Sequence, residues 1–233
     1  MAVALPDEVK ILPAYTLAEA ARYVGVSETT LRTWFRGRPA RVTKDGAFRT
    51  DAVKPVLPTD AGAREPLSFI DLIEAHVLLS LRKSYKFPLR KVKTAMDFLA
   101  ASNKNLMLLA HKDFFYDYGN LYLGIEDKLL SLTEQGQMAD KTILKEGLEQ
   151  IEYGPDGFAD EFFPRIGNAP QRAFAVNPAI NYGHISIVRL RVGADVLASR
   201  FLAGEKMSDI AEDYGATPEE IVDAIRWHDR LAA

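Results

Sequence analysis

Cysteine is absent from all 233 residues, which excludes disulfide frameworks, thiolate nucleophiles, zinc ribbons and cysteine-ligated clusters. Histidine is scarce: the 4 in the chain, His76, His111, His184 and His228, stand far apart, and none belongs to an H-x-x-x-H or H-E-x-x-H arrangement. A G-x-S-x-G elbow and a P-loop lysine motif are also missing. The pairs Glu126-Asp127, Asp160-Glu161 and Glu212-Asp213 are adjacent rather than on one helical face, so solvated carboxylates account for them. These absences predict a protein that binds rather than catalyses, with no cofactor and no metal. Long apolar runs are lacking too. The longest, around residues 77–81, is far shorter than the roughly 18 residues of a membrane span. The opening MAVALPDEVK carries acids where a signal peptide would be apolar. The expectation is a cytoplasmic protein with no membrane partner.

What is present is ordinary globular material, 48% hydrophobic and 26% charged. The length suits one large domain or, more comfortably, two small ones. The net charge of −3 conceals a split. Residues 1–110 hold 17 Lys and Arg against 11 Asp and Glu, net +6, whereas residues 111–233 hold 12 against 21, net −9. Within residues 22–54 there are 8 bases and 3 acids, and within residues 82–104 there are 7 bases and a single acid, Asp97. A basic face of this kind favours a polyanion, and an acidic half is better suited to a basic protein surface or to solvent.

Helix signals open at Thr16-Leu17-Ala18-Glu19, a capping box followed by Leu17, Ala20, Ala21 and Val24 at helical spacing. Gly25 ends this helix, and Ser27 caps a second one running to about Phe35, with Leu31 and Trp34 or Phe35 inward. Two short helices joined by Gly-Val-Ser read as a helix-turn-helix. The stretch 41–49 puts Asp45-Gly46 between β-prone arms, the signature of a small hairpin. Residues 55–68 form a proline-rich connector. A mostly buried helix over 68–83 follows, with Phe69, Ile73, Val77 and Leu81 on one face, and Pro88 opens another whose inner stripe is Leu89, Val92, Met96 and Leu99. His76, on the buried helix, reads as a satisfied core residue rather than a ligand.

Residues 111–164 are mixed, with aromatic and β-prone positions between Phe114 and Leu123 and a helix expected over 141–150. Beyond them a short strand over 174–176 and a longer one over 184–192 could pair. Helices are expected over 195–202, closed by Gly204, and over 208–214, closed by Gly215. Thr217-Pro218-Glu219-Glu220 is a capping box that opens a third.

The front helix-turn-helix is the strongest functional candidate. A helix entering a major groove needs a positive N-terminus, small hydrogen-bonding side chains in its first turn and arginines that reach bases and phosphates. Ser27, Thr29, Thr30, Arg32, Thr33 and Arg36 supply these. Arg22 adds to the basic face, and Arg38, Lys44 and Arg49 would hold phosphates from the hairpin side. Trp34 belongs to the core. The rear third helix begins with carboxylates and continues through Asp223, which disfavours groove insertion and points to self-association or partner docking.

Two resemblances add to this reading. Tyr15-Thr16-Leu17-Ala18-Glu19-Ala20-Ala21, Val24-Gly25-Val26-Ser27 and Thr30-Leu31-Arg32-Thr33-Trp34 resemble the DNA-binding module of MerR-like regulators, in which a hairpin and a helix pair complete the domain. Toward the end, Asn177-Pro178-Ala179-Ile180-Asn181-Tyr182-Gly183, Arg191-Val192, Leu202-Ala203-Gly204-Glu205, Ile210-Ala211-Glu212-Asp213-Tyr214-Gly215 and Pro218-Glu219-Glu220-Ile221 resemble a small helix-turn-helix family associated with PIN-type ribonuclease toxins. Ile185 and Arg189-Leu190 depart from that family's pattern. Together they resemble the large VapB-type antitoxins of mycobacteria and other actinobacteria. The resemblance implies an α+β chain, mainly helical with small β elements: a MerR-like winged helix-turn-helix domain at 1–110, a connecting region at 111–170, and a helix-turn-helix domain with a short hairpin at 171–233. It also implies a homodimer that binds operator DNA, represses its own transcription and neutralises a PIN-type ribonuclease toxin. The alternatives are a MerR-like regulator sensing a small ligand in the aromatic segment 114–122, and an interaction module without DNA binding.

Overall fold

Thr16 fixes the first long helix. Its hydroxyl accepts the Glu19 amide at 3.2 Å while the Glu19 carboxylate accepts the Thr16 amide at 2.8 Å, so two orphan amides are satisfied reciprocally. The computed structural model describes residues 6–44, 47–57, 66–83, 86, 88–101, 107–117, 120–125, 128–131, 138–139 and 149–232. A single turn, α1 (Glu8–Ile11), precedes α2 (Leu17–Val24), which buries Leu17, Ala20, Ala21, Tyr23 and Val24 and ends at Gly25. In α3 (Glu28–Arg36) the Ser27 hydroxyl accepts the Thr30 amide at 3.2 Å, and Leu31, Trp34 and Phe35 are buried.

Gly37 then has φ +70°, and a Cβ there would run into the Val53 carbonyl oxygen, so glycine is required where α3 turns into the hairpin. That hairpin is β1 (Arg38–Lys44) paired antiparallel with β2 (Ala47–Val53), and Asp45-Gly46 lies outside the described residues. The amides of Val56 and Leu57 both donate to the Trp34 carbonyl, at 2.9 and 3.0 Å, which ties the return strand to the end of α3.

Ser68 and Asp71 cap α4 (Phe69–Lys83) reciprocally: Ser68 N–H donates to Asp71 Oδ2 at 2.8 Å and Asp71 N–H to Ser68 Oγ at 3.1 Å. The predicted face Phe69, Ile73, Val77 and Leu81 is buried, and so are Glu74 and His76. After Pro88 comes α5 (Leu89–Ala101). The middle of the chain forms a four-stranded antiparallel sheet in sequence order, β3 (Phe114–Asp117), β4 (Asn120–Ile125), β5 (Lys128–Ser131) and β6 (Met138–Ala139). Of the helix expected over 141–150, residues 141–148 lie outside the described residues, and 149–150 are in a turn.

The hairpin β7 (Ile151–Tyr153) and β8 (Ala159–Phe162) leads to a small sheet of β9 (Phe174–Ala175), β10 (Ser186–Ile187) and β11 (Val192–Gly193), in the order β11-β10-β9. One strand over 184–192 does not form. The amides of Leu190 and Arg191 both return to the Ile187 carbonyl, at 3.2 and 2.8 Å, and Arg191 has φ 54°, so a tight turn breaks the run between β10 and β11. Three helices finish the chain: α6 (Ala194–Leu202), α7 (Met207–Tyr214) and α8 (Pro218–Ala232). Thr217 and Glu220 form the predicted capping box at the start of α8, with Thr217 N–H donating at 2.8 Å and Glu220 N–H at 3.2 Å. The whole is α+β, with helices dominating and small antiparallel sheets between them.

One continuous core joins front and rear, running from Tyr15 and Leu31 to Leu197, Ile221 and Trp227. The Tyr15 hydroxyl donates to the Gly183 carbonyl at 2.9 Å, and the Ile185 amide donates to the Tyr23 hydroxyl at 3.3 Å. Tyr23 stacks on Trp227 of α8 with ring centroids 5.1 Å apart, and His76 of α4 packs against Phe162 of β8 at 4.7 Å. At the edge, the buried Lys10 ammonium bridges Asp156 at 2.7 Å and Asp160 at 2.5 Å. Burial opposes its charge, yet the two carboxylates outweigh burial and hold the Lys10 pKa above its ordinary value. Gly183 has φ +78° and a Cβ there would collide with the Tyr15 hydroxyl, so this close approach also demands glycine.

Candidate nucleic-acid interface

The buried side of α3 is fully committed to Leu31, Trp34 and Phe35, which leaves the opposite side to define the interface. Trp34 is core, as its spacing from Leu31 predicts. On the outer side Ser27, Glu28, Thr29 and Arg32 are exposed, with Thr30, Thr33 and Arg36 half-buried beside them. The hydroxyl groups are already engaged locally. Ser27 Oγ and Thr30 Oγ1 share a 2.8 Å hydrogen bond, and Thr33 Oγ1 donates to the Thr29 carbonyl at 2.9 Å. Each hydroxyl keeps at least one donor or acceptor position for an incoming group. The Arg32 guanidinium pairs with Glu28 one turn earlier on the same exposed edge.

The α3 edge continues into the hairpin through Gly37. Arg38 is exposed at the start of β1. The register pairs Arg38 with Val53, Val42 with Arg49 and Lys44 with Ala47. By the two-residue alternation of strands, Arg38, Lys44 and Arg49 therefore fall on one set of alternate positions and Arg41 on the other. Of the ten residues expected to meet a polyanion, the six of α3 and its cap are contiguous, and the three of the hairpin lie on the adjoining element. Arg22 is set apart. It lines a cleft between α2, α4 and the rear of the molecule, together with His76, Arg165 and Trp227.

The acidic rear half meets the front at Tyr15 and Tyr23, on the N-terminal side of the turn, among other contacts, and the outer positions of α3 stay exposed. Several rear acids are also spent internally. Arg189 donates to Glu220 at 3.2 and 2.6 Å and to the Gly215 carbonyl at 2.8 Å, clamping the β10–β11 turn onto the start of α8. Arg200 donates to Glu205 at 2.8 Å and to Asp213 at 2.7 Å, joining α6 to α7. Asp223 is buried, with Arg226 donating to it at 3.2 Å.

His76 is a core residue, 5% exposed, as its place on the buried helix predicts, and its Nε2 has no hydrogen-bond partner among the described residues. The arrangement around it was invisible in sequence because Arg22, His76, Arg165 and Trp227 are scattered along the chain, and only the packing of front on rear assembles them.

Comparison with known proteins agrees with this geometry. Residues 13–96, from Pro13 ahead of α2 through most of α5, match a family model described as "Putative DNA-binding HTH domain", so the front is a helix-turn-helix of the DNA-binding class. Over 239 aligned residues the chain is 31% identical to "Putative antitoxin VapB45" of Mycobacterium tuberculosis (strain ATCC 25618 / H37Rv), with 95% of each chain covered. The chain belongs to the family of that protein. It is also 25% identical over 227 residues to "Uncharacterized protein Rv2308" of the same strain, covering 91% of this chain and 89% of the relative. Among solved structures, the crystal structure of Rv2018 from Mycobacterium tuberculosis matches with a TM-score of 0.59 and 25% identity, over 92% of this chain and 98% of that one.

Proposed function

We propose that the protein is the DNA-binding antitoxin of a toxin–antitoxin pair, acting by binding rather than by catalysis. In this reading α3 enters the major groove of operator DNA, with Ser27, Thr29, Thr30 and Thr33 near the phosphates and base edges. Arg32 and Arg36 reach bases or phosphates, and Arg38, Lys44 and Arg49 follow the backbone from the hairpin, which serves as a wing of MerR-like type. One short recognition helix reads few base pairs, so a homodimer on two half-sites is the expected assembly. The acidic rear half captures the toxin, a PIN-type ribonuclease, and the complex represses its own transcription in the cytoplasm.

The observation that carries this reading is the exposed edge of α3 next to the hairpin in a chain whose relative is named an antitoxin. The test is co-expression with the product of the adjacent gene, followed by titration of DNA from the protein's own upstream region. A stable complex with a small nuclease, and binding of that DNA, would support the reading. A neighbour that is no nuclease and never co-purifies would remove the toxin-binding part of it.

A further inference from the structure

The cleft behind the helix-turn-helix has a volume of about 480 Å³, within the range of roughly 300–1,000 Å³ typical of small-molecule sites. It is walled by both halves of the chain: α2 and α4 on the front side, Phe162, Arg165 and Trp227 on the rear side. Its charged lining is lopsided. Among the described residues, Arg22, Lys83 and Arg165 contribute three cations against one carboxylate, Glu149. Such an excess along a cleft raises the local positive potential and attracts anions.

Two buried groups in the lining have no hydrogen-bond partner among the described residues. Trp227 is 2% exposed and its Nε1–H meets no acceptor among the described residues, and the Nε2 of His76 is in the same position. A buried polar group left without a hydrogen bond is costly and calls for a partner such as a bound ligand. Burial, together with the positive charge of Arg165, lowers the His76 pKa to about 4, so the ring is neutral at physiological pH and offers a hydrogen bond rather than a charge. Val24, Leu79 and Phe162 supply apolar wall.

We propose that this cleft binds a small organic anion, a carboxylate or phosphate ester carried on a flat apolar body, with the Trp227 indole N–H and the Arg165 guanidinium as its principal donors. Because the walls come from both halves, an occupant ties the helix-turn-helix to the rear domain. The site stands independently of the toxin and of the DNA reading.

The test uses the full-length chain with ¹⁵N-labelled tryptophan and phenyl phosphate as the probe. The chain has 2 tryptophans, and Trp34 is buried in the core of α3, so it provides an internal control. The expected result is a saturable shift of the Trp227 indole signal, a stationary Trp34 signal and no response to benzyl alcohol, the neutral analogue. Arg165→Gln replaces an exposed side chain and leaves the core untouched, and it weakens binding by at least about tenfold. Absence of a saturable Trp227 shift, an equal response to benzyl alcohol, or unchanged affinity in Arg165→Gln would each overturn the proposal.

Discussion

Two neighbouring residues of α4 carry opposite pH signatures. Burial first, and the nearby Asp71 carboxylate second, push the Glu74 pKa well above its ordinary value. A carboxyl raised on folding contributes stability that is complete below its unfolded pKa and is lost as pH rises toward the folded value. Glu74→Gln should therefore stabilise the protein at neutral and alkaline pH and make little difference in acid. His76 runs the other way: its pKa falls from 6.5 to about 4, so its contribution is complete above 6.5 and is lost as pH drops toward 4. In wild type this limb amounts to about 3 kcal/mol, and His76→Gln should flatten it. Denaturant unfolding at a series of pH values checks both variants, and parallel curves for wild type and His76→Gln between pH 6.5 and 4 would refute the assignment. The hydrophobic stripe of this helix and the core place of His76 were legible from the sequence, but the burial of Glu74 and the packing of His76 against Phe162 were not. Periodicity reports which face is apolar, and says nothing of a second element, here β8 with Phe162, that closes over the flank.

At the scale of elements, local chemistry predicted the helices well because caps and glycine stops act within a few residues. Thr16-Glu19, Ser27 and Thr217-Glu220 each begin a helix where the sequence places them, and Gly25 and Gly215 end helices in the left-handed conformation. The run over 184–192 failed for a physical reason: its β-prone composition hides a turn made by backbone hydrogen bonds to Ile187. The one-turn α1 carries no comparable local signal, and it is held by distant partners such as the Lys10 pair with Asp156. For function, the pair within α3 matters most. Glu28 occupies Arg32 on the exposed edge, so the acid competes with phosphate for the same guanidinium. Glu28→Ala should tighten DNA binding by roughly threefold to tenfold, since it frees the arginine and removes a repulsive charge. Weaker binding by Glu28→Ala would mean that the pair positions Arg32 for its contact. Ser27→Ala, which removes the cap of the same helix, should cost about 1 kcal/mol in thermal or chemical unfolding.

For the whole molecule, the charge split suggests two bodies, whereas the packing joins them. The +6 and −9 portions share one core through Tyr15, Tyr23 and Trp227. Nothing in the composition foretold that junction, because each aromatic alone fits an ordinary core position. Trp227→Ala should cost about 3–5 kcal/mol, and front and rear should still unfold in a single transition when followed by circular dichroism and by Trp34 fluorescence. Two separated transitions in wild type would show that the halves are energetically independent. The same junction leaves the outer positions of α3 exposed, so the full-length chain should bind DNA without a partner to unmask it. The central claim is therefore tested most directly by a salt-dependent polarisation titration of the full-length protein with duplex from its own upstream region. The account predicts binding at low salt whose logarithm falls steeply and linearly with the logarithm of salt concentration, and marked weakening by Arg32→Ala and Arg36→Ala. Failure to bind that duplex in dilute buffer, or affinity unchanged by both substitutions, would contradict it.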